Sequence, residues 1–184
     1  MFRGAQMSIQ YGFYYDASRC LACRSCVLAC KDWNDNKAGE SVYWRHVSTE
    51  ESGKYPNVRL TNNSIACLHC AKPACVDACP NKAISKRAED GIVVVDQAKC
   101  KGCQTCAKAC PYGAPQYGSD GKMQKCDLCL SKVQQGQKPA CAAACTGGAL
   151  FAGPLPELAR TWAKKSPVML AGATKPSMLV PKTK

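Results

Sequence analysis

Sixteen of the 184 residues are cysteine, and none falls outside a group of four. The first group is Cys20, Cys23, Cys26 and Cys30; the second is Cys67, Cys70, Cys75 and Cys79, followed by Pro80. The third is Cys100, Cys103, Cys106 and Cys110, followed by Pro111; the fourth is Cys126, Cys129, Cys141 and Cys145. Three chemistries use cysteine at this density. Disulfides need an oxidising compartment, and their frameworks are irregularly spaced. Structural zinc takes two C-x2-C knuckles a dozen or more residues apart, which only the fourth group resembles. The run C-x2-C-x2-C-x3-C-P, complete at Cys100–Pro111, is an iron–sulfur ligand run. Iron–sulfur chemistry is therefore the reading, with four [4Fe–4S] clusters held by the sixteen thiolates.

The spacing has a physical basis. Two-residue gaps let a loop wrap one cube and offer it three sulfurs and several backbone N–H groups. The last cysteine, three residues on, opens a short helix and points to a neighbouring cluster. Proline suits that place, because the first turn of a helix needs no N–H from it. Each group thus supplies three ligands to one cluster and one to another, and four groups make two pairs.

An internal repeat indicates which groups pair. Tyr11–Cys20 resembles Gly91–Cys100: a short strand, an Asp turn at Asp16 or Asp96, a basic residue, then the first ligand. Cys79–Ile84 likewise resembles Cys145–Leu150. The Glu89-Asp90-Gly91 turn predicts a hairpin of Ala83–Lys86 and Ile92–Val95. Cys67 to about Pro115 then forms one two-cluster unit, with Cys67, Cys70, Cys75 and Cys110 on one cluster and Cys79, Cys100, Cys103 and Cys106 on the other. The outer groups form a second unit around strands Tyr11–Asp16 and Ala149–Phe151. Its ligand sets are Cys20, Cys23, Cys26 and Cys145, and Cys30, Cys126, Cys129 and Cys141. The expected fold class is α+β: two bacterial-ferredoxin-like units, one inserted in the other and related by a pseudo-twofold. Residues 1–55 and 119–152 make the outer unit, 56–118 the inner one, and 153–184 a C-terminal arm.

Other stretches are less regular. Residues 31–66 form an insertion with Trp33, Trp44 and little periodicity. Residues 112–125 link the units and are rich in Gly and Pro. The arm has five prolines and a 6:1 excess of basic over acidic residues. Leu155–Lys165 reads as a helix, and Trp162, Met169, Leu170, Met178 and Leu179 suggest an arm laid across a partner.

Composition excludes several classes. Three Phe and three Trp make a thin apolar core, so the fold needs a metal skeleton. No run reaches the ~18 apolar residues of a membrane span, and Met1–Gln10 lacks the apolar region of a secretory signal. The formal charge of +12 suggests nucleic acid until the clusters are counted. Four anionic clusters of about −2 each offset most of it, so no nucleic-acid partner is expected.

The chain resembles the four-cluster iron–sulfur subunits of the dimethyl sulfoxide reductase family, partners of molybdopterin oxidoreductases. The resemblance rests on Cys20–Asp32, Cys67–Cys79, Cys100–Tyr117 and Lys125-Cys-Asp-Leu-Cys, and covers about residues 10 to 153. It implies a non-catalytic electron-transfer subunit next to a large molybdopterin (Mo or W) catalytic subunit. A membrane quinol-oxidising subunit completes some such complexes. Nitrate reductase relatives carry Trp at the position of Cys106, so its presence here implies four cubanes. No C-terminal membrane helix follows, unlike formate dehydrogenase relatives, so membrane association would run through partners. Export with a twin-arginine partner, or residence in the cytoplasm, both fit. Relatives serve many substrates, so the substrate does not transfer. By the same resemblance, Cys20/Cys23/Cys26/Cys145 lies nearest the catalytic partner and Cys79/Cys100/Cys103/Cys106 faces the quinol side.

The sequence offers no catalytic apparatus of its own: it has no G-x-G-x-x-G, Walker loop or Ser/His/Asp arrangement. His69, between two ligands, reads as a supporting hydrogen-bond donor or a surface residue; His46 carries no assigned role. Arg24, Lys31, Lys72, Lys101 and Lys108 balance charge or raise cluster potentials. The competing reading is a soluble polyferredoxin that shuttles between enzymes; a zinc scaffold is a third.

Overall fold

The computed structural model describes residues 9–34 and 41–182. The elements in order are β1 (Tyr11–Tyr15), α1 (Ser25–Trp33), β2 (Arg45–Ser52), β3 (Arg59–Ala66), α2 (Ala74–Asp77), β4 (Ile84–Lys86), β5 (Val93–Val95) and α3 (Thr105–Ala109). There follow β6 (Gln116–Tyr117), β7 (Met123–Gln124), α4 (Leu130–Gln134), α5 (Ala140–Ala143), β8 (Leu150–Pro154), α6 (Leu155–Thr161), β9 (Val168–Met169) and β10 (Met178–Val180). Short helices and short strands joined by loops make a mixed α and β fold.

The largest sheet has the order β8-β1-β10-β9. β1 is its natural centre, because Phe13, Tyr14 and Tyr15 are all buried. It runs antiparallel to β8 from Tyr11↔Pro154 to Tyr15↔Leu150, as the strand expectations required. On its other edge β10 runs parallel, with Phe13 opposite Met178. Gly12 permits this approach, since a Cβ there would sit 2.1 Å from the Ser177 carbonyl oxygen.

The inner hairpin also matches expectation, with Ile84↔Val95 and Lys86↔Val93 in register. Asp90 accepts from the Ile92 N–H at 3.0 Å, and Gly91 takes φ +68°, so these two residues make the turn.

Two stretches differ from expectation. Residues 45–66 form an eight-pair hairpin, β2–β3, from Arg45↔Ala66 to Ser52↔Arg59. Its polar outer half is exposed, which hid its period. The hairpin spans the boundary expected between residues 55 and 56. The C-terminal arm, in turn, lies on its own chain. Trp162 stacks on Tyr14 with ring centroids 4.7 Å apart, while Met178 and Leu179 are buried. The Ser177 N–H donates to the Leu68 carbonyl at 2.9 Å and the Lys72 N–H to the Thr174 carbonyl at 3.0 Å. The arm therefore ties the main sheet to the second cysteine loop. Met169, by contrast, stays exposed.

Candidate metal centres

None of the sixteen cysteines forms a disulfide. Cys20, Cys23, Cys26 and Cys145 line one cavity. Cys67, Cys70, Cys75 and Cys110 line a second. Cys79, Cys100, Cys103 and Cys106 line a third. The remaining four, Cys30, Cys126, Cys129 and Cys141, are all buried, and they act electrostatically on one another. Among the described residues no three His, Cys, Asp or Glu side chains converge closely enough for a single metal ion. Thiols ringing a space suit a polynuclear cluster better than tetrahedral zinc, which draws sulfurs to within about 2.3 Å of one ion.

Helices distribute the thiols between sets. Cys26 and Cys30 both lie on α1, one helical turn apart, and contribute to different sets. The same four-residue step separates Cys141 on α5 from Cys145 just beyond it. Cys75 on α2 relates in this way to Cys79, and Cys106 on α3 to Cys110. α1 packs against α5, and α2 against α3.

The loops share one backbone device. In all four groups the residue before the second cysteine has positive φ: Ala22 at 52°, His69 at 42°, Gly102 at 70° and Leu128 at 61°. Arg24 and Gln104, after the second cysteine, repeat it as left-handed N-caps of α1 and α3. Such a conformation costs about 1–2 kcal/mol for a residue with a Cβ. It also turns successive N–H groups into an anion-binding concavity. Ala22, Arg24, His69, Gln104 and Leu128, five non-glycine residues held this way beside thiols, fit a bound anionic cluster.

Further donors converge on sulfur. The Ala83 N–H donates to Cys79 Sγ and the Ala149 N–H to Cys145 Sγ, each at 3.3 Å. Ser25 and Thr105 hydroxyls lie 3.4 and 3.5 Å from Cys23 and Cys103. The Tyr117 hydroxyl is 3.2 Å from Cys106 Sγ, and the Ser64 hydroxyl 3.5 Å from Cys26 Sγ. These contacts separate the thiols electrostatically. Hydrogen bonds from Ser25 and Thr146 bring Cys23 down to about 7. Burial pushes Cys30 and Cys75 up to about 12 and Cys129 to about 11.

His69 is fully buried, so the surface alternative does not hold. Its Nδ1 accepts from the Val93 N–H at 3.0 Å, and burial, followed by the Lys125 charge, drives its basicity well below the usual imidazole range. The neutral ring therefore carries its proton on Nε2, which has no partner among the described residues. Of the basic residues interleaved with ligands, Arg24, Lys72, Lys101 and Lys108 are exposed. Among the described residues the buried cations are Arg45 and Lys125, neither of which was given a role from the sequence. The Lys125 ammonium donates to the Val93 and Cys126 carbonyls. Its one sequence signal is its place directly before a cysteine.

This geometry defines a ferredoxin-like protein of four thiol sets. Residues 58–154 match the family described as 4Fe–4S dicluster domain. The probable anaerobic dimethyl sulfoxide reductase chain YnfG of Escherichia coli strain K12 is 44% identical over 95% of this chain and 89% of its own. The B polypeptide of the anaerobic dimethyl sulfoxide reductase of the same strain is 42% identical over the same shares. The B polypeptide of the sulfite dehydrogenase of Allochromatium vinosum is 36% identical over 78% of this chain and 68% of its own. The chain thus belongs to the four-cluster iron–sulfur subunits of the dimethyl sulfoxide reductase family of molybdopterin oxidoreductases. It is an electron-transfer subunit that carries four [4Fe–4S] clusters and works in an oxidoreductase complex. Among the described residues no helix is long and apolar enough to cross a membrane.

Proposed function

We propose that the four thiol sets named above are the four ligand sets, and that the chain joins a catalytic subunit to a second redox partner. When bound, the clusters supply one-electron acceptance and release at buried positions. The chain's own residues do the rest: thiols hold the iron, loop N–H groups and hydroxyls offset the charge, and helices fix the order of the sets.

The observation that carries this reading is the alternation of thiols along the helices. Each of α1, α2, α3 and α5 sends thiols one turn apart to two different sets, which links the sets in pairs. Exposure supports the order. Cys23 and Cys103 are the two exposed cysteines, and they belong to the sets assigned to opposite ends of the relay. Cys30, Cys126, Cys129 and Cys141 are all buried, as an internal set would be. The matched positive-φ loops, the matched Ala83 and Ala149 N–H contacts and the β1–β8 and β4–β5 pairings support two ferredoxin-like units related by a pseudo-twofold. With the β2–β3 hairpin kept whole, the division falls near residue 66.

The relatives' names extend the proposal to an anaerobic dimethyl sulfoxide reductase type of complex, and the family resemblance adds a molybdopterin catalytic partner, with membrane association through a quinol-oxidising subunit. Anaerobic purification from the native host tests it. The chain should co-elute with a molybdenum- or tungsten-containing subunit, and a lone species of ~20 kDa that retains its clusters would favour a soluble carrier instead.

A further inference from the structure

Arg45 is the largest fully buried side chain among the described residues, and a guanidinium remains charged wherever it is placed. Among the described residues no carboxylate lies within ion-pair distance of it. Its Nη1 donates to the Ser64 hydroxyl at 3.1 Å, and its guanidinium carbon sits 4.8 Å over the Phe13 ring. Among the described residues Nε and Nη2 have no hydrogen-bond partner. A buried cation without a counter-ion and with unused donors is costly, and something must compensate for it. The surroundings are thiols. The Ser64 hydroxyl that receives Nη1 lies 3.5 Å from Cys26 Sγ, so one hydroxyl bridges Arg45 to the first set. Cys141, Cys126 and Cys30 of the second set also act on its charge.

We infer that Arg45 is a shared counter-cation between the set Cys20/Cys23/Cys26/Cys145 and the set Cys30/Cys126/Cys129/Cys141, donating through Nε and Nη2 to the anionic clusters there. The inference rests on the proposed ligand sets. It gives the β2–β3 hairpin a role: the base of that hairpin inserts one positive charge between two clusters. Reduction adds negative charge, so a fixed cation nearby favours the reduced form and raises both potentials.

The test is EPR-monitored potentiometric titration of the full chain with its clusters assembled in the cell, unaltered and as Arg45→Met and Arg45→Lys. In Arg45→Met two of the four midpoint potentials should become more negative, each by at least about tenfold in the reduction equilibrium, 59 mV for one electron. Arg45→Lys keeps the charge and loses the donor fork, so the same two should move less. Retention of four clusters with no potential moved, or with all four moved alike, overturns the inference and leaves the ligand sets intact. If Arg45→Met fails to assemble, Arg45→Gln, which also removes the charge but keeps a polar side chain, decides by the same criteria, and collapse of all four clusters in the Met, Gln and Lys variants alike also overturns it, marking Arg45 as structural. Absence of cluster signals from the unaltered chain would instead defeat the ligand sets themselves.

Discussion

A thiol becomes a ligand only as a thiolate, and the sixteen thiols here differ widely in how readily they ionise. Cys23, exposed and held near 7 by hydroxyl donors, has a large thiolate fraction at neutral pH; Cys30 and Cys75, raised to about 12 by burial, have almost none. In the loaded protein the same logic applies to single donors. The Tyr117 hydroxyl, 3.2 Å from Cys106 Sγ, stabilises negative charge on that sulfur. Tyr117→Phe should make one midpoint potential more negative and leave three unchanged, which potentiometry can resolve.

At the scale of elements, the cysteine loops and the β4–β5 hairpin were legible because their determinants are local. A ligand spacing, an Asp turn and Gly91 are readable within a dozen residues. The β2–β3 hairpin was not legible, because a strand such as Arg45–Ser52 buries little beyond its first residue and shows no alternation. Arg45 was hidden for the same reason: in a polar run it looks like any surface arginine. The arm was half legible. Its apolar residues were evident, but their partner is β1, more than 160 positions away in sequence, and no local pattern encodes a parallel pairing at that distance. Two outcomes follow from the observed packing. Trp162→Ala removes the ring stacked on Tyr14 and should cost about 2–4 kcal/mol, seen as a lower thermal midpoint and faster proteolysis near residues 163–182. Gly12→Ala forces a Cβ against the Ser177 carbonyl and should cost about 1–3 kcal/mol, again loosening β10.

For the whole molecule, charge and core size describe the same design. A chain with three Phe and three Trp has little apolar material to spend on a core, and its main buried cluster is built largely from cysteines with Phe13, Leu68, Ile92, Leu128 and Leu150. The formal +12 is likewise incomplete without the inorganic anions that the clusters bring. Fold, charge balance and electron transfer therefore depend on one claim, that each of the four thiol sets binds a cubane. Iron and acid-labile sulfide, measured together on protein isolated anaerobically, test it most directly. About sixteen of each per chain is the expected result for four cubanes, each held by four thiolates. About eight of each, or zinc in place of iron, would contradict it.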